Sequence, residues 1–231
     1  MNTPSNLDIP ALLGRLPLFS SMLPEEIERI ARGTREIRVA KGDILFHKGD
    51  PCLGFHMLLS GQIKLAFTSA QGNEKVVEII PAGQTFGEAI MFMDTPYIVF
   101  AQALADAQML HISKAALYEE LDKDPKLARK MLASMAMRLH QAMHDMEAYS
   151  LHSGKERIMN YLLRELPPLE PEIRSATVSL TTTKGVIASR LNLTQEHFSR
   201  ILHELATDGL IVVNGRSIDI PDLERMRKTL S

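Results

Sequence analysis

Thr194-Gln195-Glu196-His197-Phe198-Ser199-Arg200 is the stretch of this 231-residue chain on which its reading turns. Thr194 has the short hydroxyl side chain favoured at a helix N-cap, and beyond it Phe198, Ile201, Leu202 and Leu205 recur at helical spacing. On the polar side Glu196 and Arg200 stand one turn apart, with Gln195 and Ser199 beside them. Arginine donates a bidentate pair to guanine, glutamate accepts from a cytosine amino group, and glutamine or serine meets adenine or phosphate, so all four suit a major groove. The same pattern serves an ordinary amphipathic surface helix, and the flanks decide between the two.

Upstream, Thr182 and Thr183 can cap a first helix running from Lys184 to about Leu191, and Asn192 tolerates the left-handed backbone of a tight turn. Downstream, Gly209 ends the second helix, and Asn214-Gly215 joins two short apolar runs, Leu210 to Val213 and Ser217 to Ile220, as a hairpin. Helix, turn, reading helix and two-stranded wing therefore follow one another. The base-reading candidates are Gln195, Glu196, Ser199 and Arg200, and the phosphate-contact candidates are Thr183, Lys184, Thr194 and Arg216.

Glu196, Ser199 and Arg200 fit the E-x-x-[SG]-R pattern of the bacterial CRP/FNR regulators, which this segment resembles. Glycine at the Ser199 position goes with the branch that reads TGTGA. Serine, as here, implies the branch that reads TTGAT half-sites. The resemblance also implies double-stranded DNA, a second copy of the chain and RNA polymerase as partners.

A formal charge of −2 excludes a binder driven by a global basic field, so any DNA contact must come from locally placed lysines and arginines. Cys52 is the single cysteine; it permits no internal disulfide and points to a reducing compartment. One thiolate cannot hold an iron–sulfur cluster either. No signal peptide or spanning apolar segment is visible, and a cytoplasmic chain with no membrane association is expected. No phosphate loop, nucleophile elbow or paired metal motif appears, so an enzyme is not expected.

The first half breaks into short strand-like runs at Glu36 to Ala40, Ile44 to His47, Phe55 to Ser60, Ile63 to Thr68, Lys75 to Ile80 and Phe100 to Ala105. Turn residues such as Lys41-Gly42-Asp43 and Gly49-Asp50-Pro51 separate them, a spacing shared by barrels, sandwiches and jelly rolls. Lys41 to Phe46, Gly49-Asp50 and Leu58 to Lys64 resemble the cyclic-nucleotide-binding jelly roll of the same family. The expected fold class is thus α+β: a cyclic-nucleotide-binding-like jelly roll over 1–124, a long dimerisation helix over 125–150 and a winged helix-turn-helix over 151–231. Residues 1–9 are expected to be disordered, with helices at Pro10 to Leu16 and Pro24 to Arg32.

Family jelly rolls hold the nucleotide with a Gly-Glu pair and an Arg-Ser pair. Gly87-Glu88 is present, but Tyr97 and Ile98 stand where arginine and serine would neutralise the phosphate, so cyclic AMP is not expected to bind. Apolar residues crowd the same stretch, either as filled core or as a pocket for a flat apolar cofactor; the pocket set is Gly87, Glu88, Met91, Phe92, Tyr97 and Ile98. Glu88 to Pro96 resembles the dissimilatory nitrate respiration regulators, the nitric-oxide-responsive branch, for which haem is the proposed sensor. Haem sensing nitric oxide or another diatomic gas is the effector that this implies, with a cyclic nucleotide or another small apolar effector as the alternative. No metal ligand is assigned: His56 and His111 fall in strands as ligands or core residues, and His140 and His144 lie one helical turn apart on an exposed helix.

Between the two halves, Asp124-Pro125 starts a helix in which Leu132, Met135, Leu139, Ala142, Met146 and Tyr149 alternate at spacings of three and four. Such a seam packs against a parallel copy or against its own domain, and the resemblance implies the former. Ser153-Gly154 is the candidate hinge. The expected function is an effector-gated homodimeric transcription regulator reading a pseudo-palindromic operator.

Overall fold

The computed structural model describes residues 7–16, 19, 22–69, 71–72, 74–123, 125–167 and 173–230, with backbone alone at 134 and 148–150. The chain forms two compact units, 1–140 and 141–231.

In the first unit α1 (Ile9–Gly14) and α2 (Pro24–Arg32) precede the strands β1 (Thr34–Val39), β2 (Ile44–Phe46), β3 (Gly54–Ser60), β4 (Gln62–Thr68), β5 (Glu74–Pro81) and β6 (Thr85–Phe86). Then come α3 (Glu88–Met93), β7 (Phe100–Ala103), β8 (Ala107–Ser113), α4 (Lys114–Leu121) and the long α5 (Pro125–Leu151). The strands make two four-stranded antiparallel sheets, ordered β1-β8-β3-β6 and β2-β7-β4-β5, which is the expected double-sheet fold. One core, built on Phe46, Leu58, Ile63, Ile80, Phe86 and Met109, draws on both sheets. A second, with Phe55, Met57, Leu110 and Ile112, covers the other face of β3 and β8 with helical residues such as Leu13, Ile30, Leu117 and Leu127.

Two strands were not delimited by the turn-to-turn reading: β6, only two residues long, and β8, whose burial on both faces explains the omission. β8 reads Ala-Gln-Met-Leu-His-Ile-Ser, with no clean alternation, because Met109 enters one core while Leu110 and Ile112 enter the other. α4 was also not anticipated; Ser113 caps it, and Glu120 at its end forms a bidentate pair with Arg29 of α2, at 2.6 and 2.9 Å. The Arg29 hydrogen bond holds the Glu120 carboxyl below its usual range. The expectation of disorder over 1–9 falls for residues 1–6 outside the described residues; Asp8 caps α1 and Ile9 lies within it.

The second unit contains α6 (Gly154–Arg164), β9 (Ala176–Ser179), α7 (Lys184–Arg190), α8 (Gln195–Thr207), β10 (Val212–Asn214), β11 (Ser217–Ile220) and α9 (Leu223–Thr229). Ser153 and Glu156 form a capping box at the start of α6. The wing corrects the sequence reading: β9 pairs with β11, so the sheet has three strands in the order β10-β11-β9 rather than the two of the expected hairpin. α9, also not anticipated, closes this core with Leu223 and Met226.

The long helix is not a body of its own: the chain divides between residues 140 and 141, inside α5. The reason is local packing, since Leu127 and Met131 are buried in the first unit and Asp145 is ion-paired within the second. Gly154 has a packing role: a Cβ there would lie 2.8 Å from Ile201 Cδ1, so the absence of a side chain lets α8 pass close to α6.

Candidate nucleic-acid interface

The reading helix is assembled from its caps inward. Thr183 Oγ1 accepts from Val186 N at 3.3 Å to start α7, and Thr194 Oγ1 accepts from His197 N at 3.2 Å to start α8. Thr182, the other capping candidate, is buried instead. Asn192 adopts φ 58° in the turn between the helices, the left-handed backbone its side chain tolerates. Phe198, Ile201, Leu202 and Leu205 of α8 are buried in the core.

The opposite face is open. Gln195, Glu196, Ser199 and Arg200 are all exposed, and Arg200 Nε lies 3.8 Å from Glu204 Oε1 in a solvated pair one turn along. The arrangement therefore presents a guanidinium, a carboxylate, a carboxamide and a hydroxyl on one helix surface, free of the core. Thr183 and Thr194 are exposed, Lys184 is half-buried, and Arg216 is exposed beside the left-handed Gly215 of the wing hairpin. Sequence reasoning passed over Gly185. A Cβ there would lie 2.8 Å from Gln195 Oε1, so glycine in α7 makes room for the first side chain of the reading helix.

The residues nominated as an effector pocket are not brought together as one lining. Gly87, at φ 93°, starts α3, and Glu88 is buried and paired with Arg138 of α5, Nη1 to Oε2 3.3 Å; Arg138 also donates to the Thr85 carbonyl. Met91 is buried in the core that the helices cover, whereas Tyr97 lies in the core between the sheets, stacked on Phe46 at 3.6 Å and 6°. Phe92 is half-buried against Tyr118, and Ile98 is 50% exposed. The apolar run feeds two separate cores because the chain leaves α3 at the left-handed Asp94 and carries Tyr97 and Ile98 in the loop before β7, away from the direction of the helix. Burial, with Cys52 hydrogen-bonded beside it, pushes the Tyr97 phenol up.

These residues do not fit haem as they are arranged: Tyr97 is stacked on Phe46 at 3.6 Å, with His56 5.9 Å from Phe46, while Met91 lies in the other core, so the set lines no common slot. His56 is buried beside Phe86 at 5.0 Å and faces the edge of His111 at 5.0 Å; burial, with His111 and Arg35 nearby, lowers its pKa to about 3. His140 and His144 are exposed, and His144 Nδ1 lies 3.5 Å from Glu147. Among the described residues no three His, Cys, Asp or Glu side chains gather to hold a metal ion.

Along α5, Leu132, Leu139, Ala142 and Met146 of the expected seam are exposed, but Met135 is half-buried. Tyr149 has its side chain outside the described residues. Ala136 and Met143, which the sequence reading left out, are exposed and continue the three-and-four spacing from Leu132 through Leu139 to Met146. Leu132, Leu139, Ala142 and Met146 of the expected seam thus stand on the open face, while the side holding Leu127, Met131 and Arg138 packs on the first unit. No helix among the described residues is long and apolar enough to cross a membrane.

Comparison with known proteins matches both halves. Residues 36–124 match the cyclic nucleotide-binding domain and residues 156–229 the Crp-like helix-turn-helix domain. The chain is 30% identical over 191 residues to the anaerobic regulatory protein of Pasteurella multocida (strain Pm70), covering 82% of this chain and 69% of that protein. It is 23% identical over 205 residues to the cyclic AMP receptor protein of Thermus thermophilus, covering 88% and 92%. The crystal structure of DNR from Pseudomonas aeruginosa shares 33% identity, with a TM-score of 0.50 over 94% of this chain and 96% of that one.

Proposed function

This chain belongs to the CRP/FNR family of transcriptional regulators, and from that premise we propose that it acts as a homodimer reading a pseudo-palindromic TTGAT-type operator under the control of a small effector. The observation that carries the reading is the face of α8 on which Gln195, Glu196, Ser199 and Arg200 stand exposed while the helix's other face is buried. The exposed stripe Leu132, Leu139, Met143 and Met146 supports a second copy of the chain as the partner of α5. Twofold symmetry then puts two reading helices in successive major grooves, with half-sites about 34–36 Å apart. Recruitment of RNA polymerase in the cytoplasm completes the proposed role.

Competition between duplexes carrying paired TTGAT sites, paired TGTGA sites and scrambled sequence tests it. The TTGAT duplex should win, and an equal ranking of all three would overturn the reading. Leu139→Glu should give monomers with little selective binding, since a carboxylate in the seam would be buried without a partner. Light scattering on the same sample checks the assembly, and a normal dimer would remove α5 from the interface.

For the effector, the stretch Glu88 to Pro96 and the identity to DNR support haem-borne nitric oxide. Haem would have to part the stacked rings of Phe46 and Tyr97, 3.6 Å apart, to enter this cassette. An absorption spectrum after haem addition, with and without nitric oxide, tests this; a spectrum of unbound haem would discard it. A cyclic nucleotide is the second reading, favoured by the matched domain and opposed by Tyr97, whose ring is stacked on Phe46 where the family's cassette places arginine. Calorimetric titration with cyclic AMP should show no heat of binding.

A further inference from the structure

The last turns of α5 carry a carboxylate that reaches the helix-turn-helix. Asp145 Oδ2 pairs with Arg190, the last residue of α7 and two residues before the left-handed Asn192, while its Oδ1 takes Arg164 of α6 at 3.4 Å. Gln141 Nε2 donates to the same Oδ1 from one turn away, at 3.1 Å. Asp145 and Arg190 retain only 16% and 17% of their side-chain exposure, so water screens this pair far less than the surface pairs elsewhere in the chain. Burial by itself would lift the Asp145 pKa, but the Arg190 hydrogen bond and charge, with Gln141 and Arg164, hold it below the usual carboxylate range.

The residues that follow Arg190 are tied to the same place. Arg157 Nη1 of α6 donates to the Leu191 carbonyl at 2.8 Å and the Asn192 carbonyl at 3.4 Å, and a cleft of about 200 Å³ lies among these groups. α7 ends here, the turn begins here, and the turn sets the direction in which α8 leaves. Neither Asp145 nor Arg190 lies on the face of α8 that bears the base-reading side chains.

We propose that Asp145 is a positioning residue for DNA reading: through Arg190 it fixes the end of α7, and with it the turn that aims α8, against the last turns of the long helix. Ionisation of both partners is required, and the pair acts as a unit. The link is suited to the task because a partly buried ion pair has one short-range geometry, whereas apolar contacts at this junction would let α7 slide. Loss of the carboxylate removes the anion that Arg190 and Arg164 share, and with it the tie between the end of α7 and α5.

The inference rests on the DNA-reading function proposed above, and the experiment separates the two. A random duplex pool is offered to the full-length wild-type chain, and the sequence it enriches becomes the probe, so nothing depends on the TTGAT assignment. Asp145→Asn, Arg190→Gln and the double variant are then measured on that probe and on scrambled duplex. Each single variant should lose selective affinity on the order of tenfold, and the double should lose no more than either single, as expected of two groups that work as one. Affinity for scrambled duplex should change less than about twofold, a split that a merely destabilised fold would not produce.

Additive losses, equal losses on both duplexes, or wild-type behaviour of Asp145→Asn would overturn the positioning role while leaving the DNA-reading function intact. Enrichment of no sequence by the wild type would overturn both. Should the single variants fail to fold, the charge-keeping variant Arg190→Lys, which leaves Asp145 and Arg164 untouched, decides: retained selective binding supports the link, and its loss in a folded chain removes it.

Discussion

The cassette around α3 and the head around α8 begin alike, each a helix entered through a non-helical residue that introduces an acidic side chain in its first turn, yet they treat that side chain in opposite ways. Glu88 is withdrawn into the protein and answered by Arg138, whereas Glu196 stands in solvent with Gln195, Ser199 and Arg200 around it. A buried charge is stable only when paired, so the cassette's polar group has become part of the scaffold. The head keeps its polar groups unburied, and so they remain available to a ligand that brings its own donors and acceptors. The difference lies in the surroundings: the same acidic side chain is paired and withdrawn from water in the cassette and left open to water in the head.

The largest expected effect comes from removing the head's guanidinium. Arg200→Ala should erase discrimination between operator and scrambled duplex, because a dimer deprived of one bidentate guanine pair in each half-site forfeits about 2–6 kcal/mol. Gel-shift titration checks it, and retained discrimination would mean the head is no more open for reading than the cassette. In the cassette the aromatic plug should matter for stability instead. Tyr97→Ala should destabilise the first unit by about 3–5 kcal/mol, seen in chemical unfolding, while the preferred DNA sequence stays the same. A change in sequence preference would break the contrast.

The next effect is a pH dependence confined to the first unit. The pKa of His56 is lowered in the folded chain to about 3, chiefly by burial, so the unfolded chain binds the proton first and stability falls as pH drops below the ordinary histidine range. The slope should approach about 1.4 kcal/mol per pH unit between roughly pH 6 and pH 4. Unfolding of His56→Phe should lack that component; an unchanged slope would assign it to other groups. Smallest is the cap: Thr194→Ala should cost about 1 kcal/mol in the second unit and weaken operator binding a few-fold, because it frays the first turn of the reading helix without touching Arg200. Thermal unfolding followed by titration on the same sample measures both.

Much of the head was legible from residues because its signals are local. Thr183 and Thr194 act as caps within three residues, Asn192 supplies its own turn, and the α8 stripe sorts itself by helical period. A strand at Thr177 to Leu180 is legible in the sequence, but its place in the wing is not, because β9 joins β11 across some forty residues that no short-range pattern connects. The cassette was harder. Met91 and Tyr97 read as one apolar cluster in the chain, but they belong to different cores, since the left-handed Asp94 ends α3 and the loop after it sends Tyr97 elsewhere. On α5 the heptad fitted two overlapping faces, and only packing of Leu127, Met131 and Arg138 selected the one that stays open.

By itself, then, the sequence determined what depends on neighbours a few residues apart: the capped helices, the left-handed turn, the polar reading face, and the absence of an arginine at Tyr97 and Ile98. Tertiary structure alone decided what depends on residues distant in the chain. It buried Glu88 against Arg138, stacked Tyr97 on Phe46, and placed Asp145 on Arg190. The physical reason is range: caps and periodicity act through one or two turns of backbone, whereas desolvation and ion pairing depend on which distant surfaces the folded chain brings into contact.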